Sequence, residues 1–200
     1  MNLPNKISLT RICMIPIFVV FFFLDIVPFH FGIAAIIFAV AACTDFVDGY
    51  IARSRGLVTN LGKFLDPIAD KVLIATAMIL VLTMKDNLFV MLGVAADAAY
   101  VATTVCICII LARELIISAF RQIAAVNGIV MAAEKLGKYK AAVQDVSIFV
   151  LILAADIPAM AGQIVAYVGF GLFAIATVLT ILSGISYVVK NKQVLKDKEA

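Results

Sequence analysis

Residues 45–70 read Asp45-Phe46-Val47-Asp48-Gly49-Tyr50-Ile51-Ala52-Arg53-Ser54-Arg55-Gly56-Leu57-Val58-Thr59-Asn60-Leu61-Gly62-Lys63-Phe64-Leu65-Asp66-Pro67-Ile68-Ala69-Asp70. Four aspartates and three basic residues stand here between two long apolar runs. Asp45 and Asp48 are three apart and Asp66 and Asp70 four apart, spacings that stack side chains on one helix face. The stretch therefore reads as a hairpin: the end of one apolar helix, a short basic turn and the start of the next. As antiparallel neighbours, the two helices can bring all four carboxylates to one point.

The composition sets that hairpin in a membrane. The chain of 200 residues is 64% hydrophobic and 14% charged, with a mean hydropathy of +1.14, whereas soluble domains carry about 25% charged residues. Crossing the hydrocarbon takes about 20 apolar residues as a helix, and six segments qualify. They run from about Ile7 to Val27, Phe31 to Arg53, Phe64 or Asp66 to Met84, a start between Leu88 and Tyr100 to Arg121, Tyr139 to Ala155, and Met160 to Val189. Asp97 interrupts Leu88–Ala99, which reads either as an external loop with some helix or as an early start to a long, tilted fourth helix. The fold expected is an all-α, six-transmembrane-helix bundle with a short N-terminal interfacial segment, one domain over 1–200 without internal repeat.

Charge orients the bundle. Lys6, Arg11, Arg53, Arg55, Lys63, Arg121, Lys135, Lys138, Lys140 and the lysines from Lys190 onward fall on one side, and only Lys85 on the other. The positive-inside rule places both termini and the Arg53–Lys63 turn in the cytoplasm of a multi-pass cell-membrane protein. The basic start and apolar run also suit a signal peptide, but no small-residue cleavage site follows. The net charge of +3 is modest, and no nucleic-acid partner is expected. Cys13, Cys43, Cys106 and Cys108 form no CxxC pair and have no histidine nearby, so they read as small buried hydrophobes. His30 reads as an interfacial residue.

Carboxylates are costly in such a chain. An aspartate near mid-bilayer costs roughly 2.5–3.5 kcal/mol, less near the interface, and like charges crowd one another. Bound divalent cations remove both problems. Oxygen donors without thiol or imidazole suit Mg²⁺, Mn²⁺ or Ca²⁺, and four carboxylates suggest two ions. Two structural readings compete: Asp66 before Pro67 as an N-cap, and ion pairs of the acids with Arg53, Arg55 and Lys63. Gly49 and Gly62 allow close approach to the backbone or tight helix packing.

The pattern Asp-x2-Asp-Gly-x2-Ala-Arg-x8-Gly-x3-Asp-x3-Asp, here Asp45, Asp48, Gly49, Ala52, Arg53, Gly62, Asp66 and Asp70, resembles the signature of the CDP-alcohol phosphotransferases. That family's fold is a six-helix membrane bundle. The resemblance implies attack by an alcohol on the β-phosphorus of a CDP-linked lipid with release of CMP. It implies that Asp45, Asp48 and Asp66 hold two divalent cations, Mg²⁺ or Mn²⁺. Asp70 would serve as ligand and general base, and Gly49, Ala52 and Gly62 would leave room for the cytidine beside Arg53.

The opening Pro4-Asn5-x-Ile7-Ser8-x-x-Arg11 and the run Arg113-Glu114-Leu-Ile-Ile-Ser118-Ala-Phe-Arg121 with Lys135-Leu-Gly-Lys138-Tyr-Lys140 resemble one branch of that family. That branch makes phosphatidylglycerol phosphate from CDP-diacylglycerol and sn-glycerol 3-phosphate. The likeness implies that Asn5, Ser8 and Arg11 lie near the nucleotide, although an ordinary interfacial anchor would look the same. It also implies that Arg113, Arg121, Lys135 and Lys138 receive the acceptor's phosphate, although cytoplasmic loops collect lysines in any case. Arg113 and Arg121 are two helical turns apart on a shared face. Arg113 is either neutralised by Glu114 or faces a polar cavity. Ala141 stands where that branch commonly has threonine. A homodimer is implied as well. The alternatives are a relative of the cardiolipin-synthase or phosphatidylinositol-phosphate-synthase type and, from another class, a cation transporter.

Overall fold

The computed structural model describes residues 3–55, 60–126 and 135–191, with side chains over 9–44, 68–124, 136–158 and 160–191. The elements are α1 (Leu3–Phe22), α2 (His30–Arg55), α3 (Asn60–Thr83), a 3-10 helix (Phe89–Ala95), α4 (Ala96–Val126), α5 (Lys135–Ala154) and α6 (Ala159–Lys190). Among the described residues there is no strand, and the all-α expectation holds with six main helices.

Their ends differ from the expected ones for local reasons. The N-terminal segment is not a separate element; from Leu3 on it forms the first turns of α1. That helix stops at Phe22 rather than Val27, because a turn containing Pro28 and Phe29, at φ 60°, follows. A residue before proline is pushed out of the helical region. His30 Nδ1 lies 3.0 Å from the Phe22 carbonyl oxygen, and the Gly32 N–H donates to Asp156 Oδ2 at 2.5 Å. The start of α2 is thus held by a carboxylate from the α5–α6 connection.

Residues 88–99 resolve into the 3-10 helix and the first turn of α4. Gly93, at φ 57° and ψ −124°, breaks one from the other with a conformation that suits glycine. Asp97 does not interrupt α4. It stands in the first turn, where a carboxylate favours the helix dipole, and it pairs with Lys85 at 3.2 Å. At its other end α4 continues past Arg121 to Val126.

Packing is most extensive between α5 and α6, then between α1 and α2; α1 also meets α3, and α2 meets α5. The core holds a chain of rings: Phe18 with Phe22 and Phe38, and Phe22 with Phe31 at 5.1 Å between centroids. Phe89 anchors the 3-10 helix against Phe170 at 5.1 Å and Tyr100 at 5.4 Å. A smaller cluster of Ile117, Phe120, Ala124 and Tyr187 joins α4 to α6.

The outer faces are apolar as well: Ile17, Val20, Ile79, Val105, Ile116, Ile164 and Val178 are exposed. A helix that is hydrophobic all round belongs in a core or a bilayer. Phe89–Ala124 and Met160–Lys190 are long and apolar enough to cross a membrane, and Leu9–Phe22 and His30–Thr44 are shorter apolar helices. The expectation of buried cysteines is corrected by the same feature. Cys13, Cys43 and Cys108 are exposed, because outward positions here are apolar too.

Glycine sets the α5–α6 turn. A Cβ at Gly162 would overlap the backbone carbonyl oxygen of Ile157, whereas one at Gly171 would meet nothing within 4 Å. Gly162→Ala is expected to destabilise the protein by about 1–3 kcal/mol through overpacking and Gly171→Ala to leave it unchanged or slightly stabilised, as read by thermal unfolding in detergent.

Candidate active site

Asp45, Asp48, Gly49, Ala52 and Arg53 lie on α2, and Gly62, Asp66 and Asp70 on α3. Both segments are helical throughout, so the three- and four-residue spacings place each acidic pair along one helix face. The two helices pack against each other. The side chains of Asp45, Asp48 and Asp66, and those of Gly49 to Gly62, lie outside the described residues, and so does the expected meeting of four carboxylates. Asp70 is described and half-buried. No three His, Cys, Asp or Glu side chains gather among the described residues, of which Asp70 is the only member of the quartet. The N-cap reading of Asp66 is overturned: α3 begins at Asn60, which leaves Asp66 and Pro67 inside the helix. The ion-pair reading with Arg53, Arg55 and Lys63 falls outside the described side chains.

Asn5 and Ser8 lie in the first turns of α1, with side chains outside the described set. Arg11 is 1% exposed. Its Nε donates to the Ala41 carbonyl oxygen at 3.2 Å and to Thr44 Oγ1 at 3.5 Å, and Thr44 Oγ1 donates to the same carbonyl at 2.6 Å. Arg11 therefore ties α1 to the turn of α2 that leads directly into Asp45.

The basic residues sort themselves by burial. Arg113 Nη1 donates to Glu114 Oε1 at 3.0 Å, and Nη2 to Ser183 Oγ of α6 at 2.9 Å. Gly184 makes this possible, since a Cβ there would lie 3.0 Å from Arg113 Cγ. Lys140 of α5 donates to the same Glu114 oxygen, and its side chain is 5% exposed. Lys71, next to Asp70, donates to Ser118 Oγ, which donates to the Glu114 carbonyl oxygen at 2.7 Å. Four helices thus meet around Arg113 and Glu114, with Lys140 on the carboxylate and Lys71 joined through Ser118. Cations grouped in this way suit a phosphate.

Arg121 is exposed and stands apart from that knot. Its Nε donates to Tyr187 Oη at 3.1 Å, and its guanidinium lies 5.3 Å from the Tyr187 ring centroid. Lys138 is exposed, and Lys135 is the first residue of α5, its side chain outside the described set. Of the four cations expected at the acceptor's phosphate, Arg113 is in the knot. Lys140, part of the same basic run in the sequence, joins it, and the unexpected members are Lys71, Ser118 and Ser183. A lysine directly after Asp70 was a usable signal for Lys71, whereas nothing local marks Ser183. An open groove of about 540 Å³ between α4 and α6, lined by Ile109, Ile116, Ile181 and Ile185, reaches Arg113 and Gly184 from the apolar outside.

Two acid-bearing helices, α2 and α3, thus stand in an apolar six-helix chain, and α3 is bonded to the cationic knot through Lys71. The sequence model of the CDP-alcohol phosphatidyltransferase family matches residues 1–189, and the chain belongs to that family. It is 35% identical to the CDP-diacylglycerol–glycerol-3-phosphate 3-phosphatidyltransferase of Bacillus subtilis (strain 168), over 98% of this chain and 97% of that one. The proteins of the same name from Shigella flexneri serotype 5b and Escherichia coli (strain K12) are 38% and 37% identical, with 98% of each chain covered.

Proposed function

We propose that this chain transfers the phosphatidyl group of CDP-diacylglycerol to sn-glycerol 3-phosphate, making phosphatidylglycerol phosphate and releasing CMP. The observation that carries the reading is the full-length similarity to enzymes of that name. The cationic knot, bonded through Ser118 to the residue after Asp70, supports it.

Asp45, Asp48, Asp66 and Asp70 are the residues that would hold two divalent cations, Mg²⁺ or Mn²⁺. The donor set fits, being all oxygen with no thiol or imidazole. Such ions supply charge neutralisation at the phosphates and alignment of the reacting groups. Asp70 takes the proton from the acceptor hydroxyl as its oxygen bonds to the β-phosphorus. The bond from that phosphorus to the CMP oxygen breaks, and CMP leaves with the electron pair. Asn5, Ser8, Arg11, Gly49, Ala52, Arg53 and Gly62 surround the nucleotide. Arg113, with Arg121, Lys135 and Lys138, receives the acceptor's phosphate.

All six helices cross the cell membrane in this reading, with both termini and the site on the cytoplasmic face, where the cations concentrate. The lipid enters sideways through the bilayer, the acceptor arrives from the water, and the protein works as a homodimer.

A panel of acceptors with purified protein, CDP-diacylglycerol and CMP detection tests the assignment. Glycerol 3-phosphate is expected to exceed glycerol and amino alcohols by at least about tenfold, the worth of one charge-assisted contact, and to exceed phosphatidylglycerol and inositol phosphate as well. A neutral acceptor that outperforms it would remove Arg113 from phosphate binding.

A further inference from the structure

We infer that Glu114 is a positioning residue for the acceptor: its carboxylate holds Arg113 and Lys140, from two different helices, as one phosphate-binding pair. This rests on the function proposed above and adds to it the part that organises the phosphate subsite.

Lys140 is the unusual member. An ammonium that is 5% exposed needs a partner, since an unpaired buried charge is costly. Its partner among the described residues is Glu114 Oε1, which also accepts from Arg113 Nη1. One shared oxygen therefore sets the spacing of two cations that would otherwise repel each other. Neither is used up by the contact. An ammonium has three donors and a guanidinium five. Arg113 spends one terminal nitrogen on Glu114 and the other on Ser183, and its Nε is buried without a partner. Both residues thus keep donor hydrogens beside the shared Glu114 oxygen.

Glu114 is itself braced. Its backbone carbonyl accepts from Ser118, whose hydroxyl oxygen accepts from Lys71, and Lys71 follows Asp70 on α3. The brace ties the anion subsite to the helix that carries the proposed base. Without the carboxylate, the long stem of Lys140 is free to turn its charge toward water, and Arg113 keeps only the Ser183 hydroxyl of the two contacts that orient its fork.

The test compares wild type, Glu114→Gln and Glu114→Asp in steady-state kinetics, varying glycerol 3-phosphate and CDP-diacylglycerol separately. In Glu114→Gln the KM for glycerol 3-phosphate is expected to rise about tenfold or more, the loss of a charge-assisted hydrogen bond. The KM for CDP-diacylglycerol and kcat should stay near wild type. Glu114→Asp should recover part of the acceptor KM. Inorganic phosphate, as a competitor of the acceptor, should lose potency in the same order.

An unchanged acceptor KM in either folded variant overturns the inference, as does an equal loss toward both substrates accompanied by a lower melting temperature. If the Gln variant does not fold, the Asp variant decides alone by the same criterion. A wild-type protein that releases no CMP with glycerol 3-phosphate overturns the proposed function, and this inference with it.

Discussion

Asp70→Asn is expected to lower CMP release by at least about 10²-fold, the lower end of what a positioned general base contributes, while leaving the melting temperature in detergent unchanged. Asparagine keeps the size of the side chain and most of its hydrogen-bonding capacity. It loses the negative charge and the basic oxygen, the two properties that the proposed mechanism uses. Asp70 is half-buried on a helix whose neighbouring residue, Lys71, is bonded across to α4. The substitution therefore acts on a framework held by other contacts, and a lost rate with a preserved fold points to chemistry. Wild-type turnover in the variant would remove Asp70 from the mechanism.

Chelation is expected to have an effect as large. EDTA should abolish CMP release, and Mg²⁺ or Mn²⁺ should restore it, because an all-carboxylate donor set favours hard cations. Binding should also be visible without turnover. A cation that binds the folded protein alone stabilises it by about 2.7 kcal/mol at a concentration of a hundred times Kd, so added Mg²⁺ should raise the melting temperature. Asp48→Asn should blunt that rise, since it removes one of the proposed ligands. Full activity in EDTA would end the metal-assisted mechanism, and an equal thermal shift in Asp48→Asn would exclude Asp48 as a ligand.

The legible parts of the molecule are those set by neighbours in the chain. The last apolar run, expected over Met160–Val189, is α6 over Ala159–Lys190, because a long uniform segment has one way to satisfy its backbone in an apolar setting. The acidic pairs follow the same rule, since three- and four-residue spacings have meaning within a single helix. The start of α4 was not legible. Asp97 looked like an interruption, yet a carboxylate in a first turn stabilises a helix, and the preceding 3-10 helix depends on Phe89 meeting Phe170 of α6. The start of α2 likewise depends on Asp156, which reaches Gly32 from the α5–α6 connection.

By itself the sequence determined an all-helical chain of apolar segments, the acidic pattern on α2 and α3, and from these the family and its chemistry. Hydrophobic periods and side-chain stacking within one helix are local properties, and short-range order is enough to read them. Only the tertiary structure decided which cations meet. Arg113 and Glu114 are adjacent in the chain, but Lys71, Lys140 and Ser183 come from three other helices. Their meeting follows from how α3, α5 and α6 pack against α4. A charge taken out of water must find its partner wherever that packing puts one.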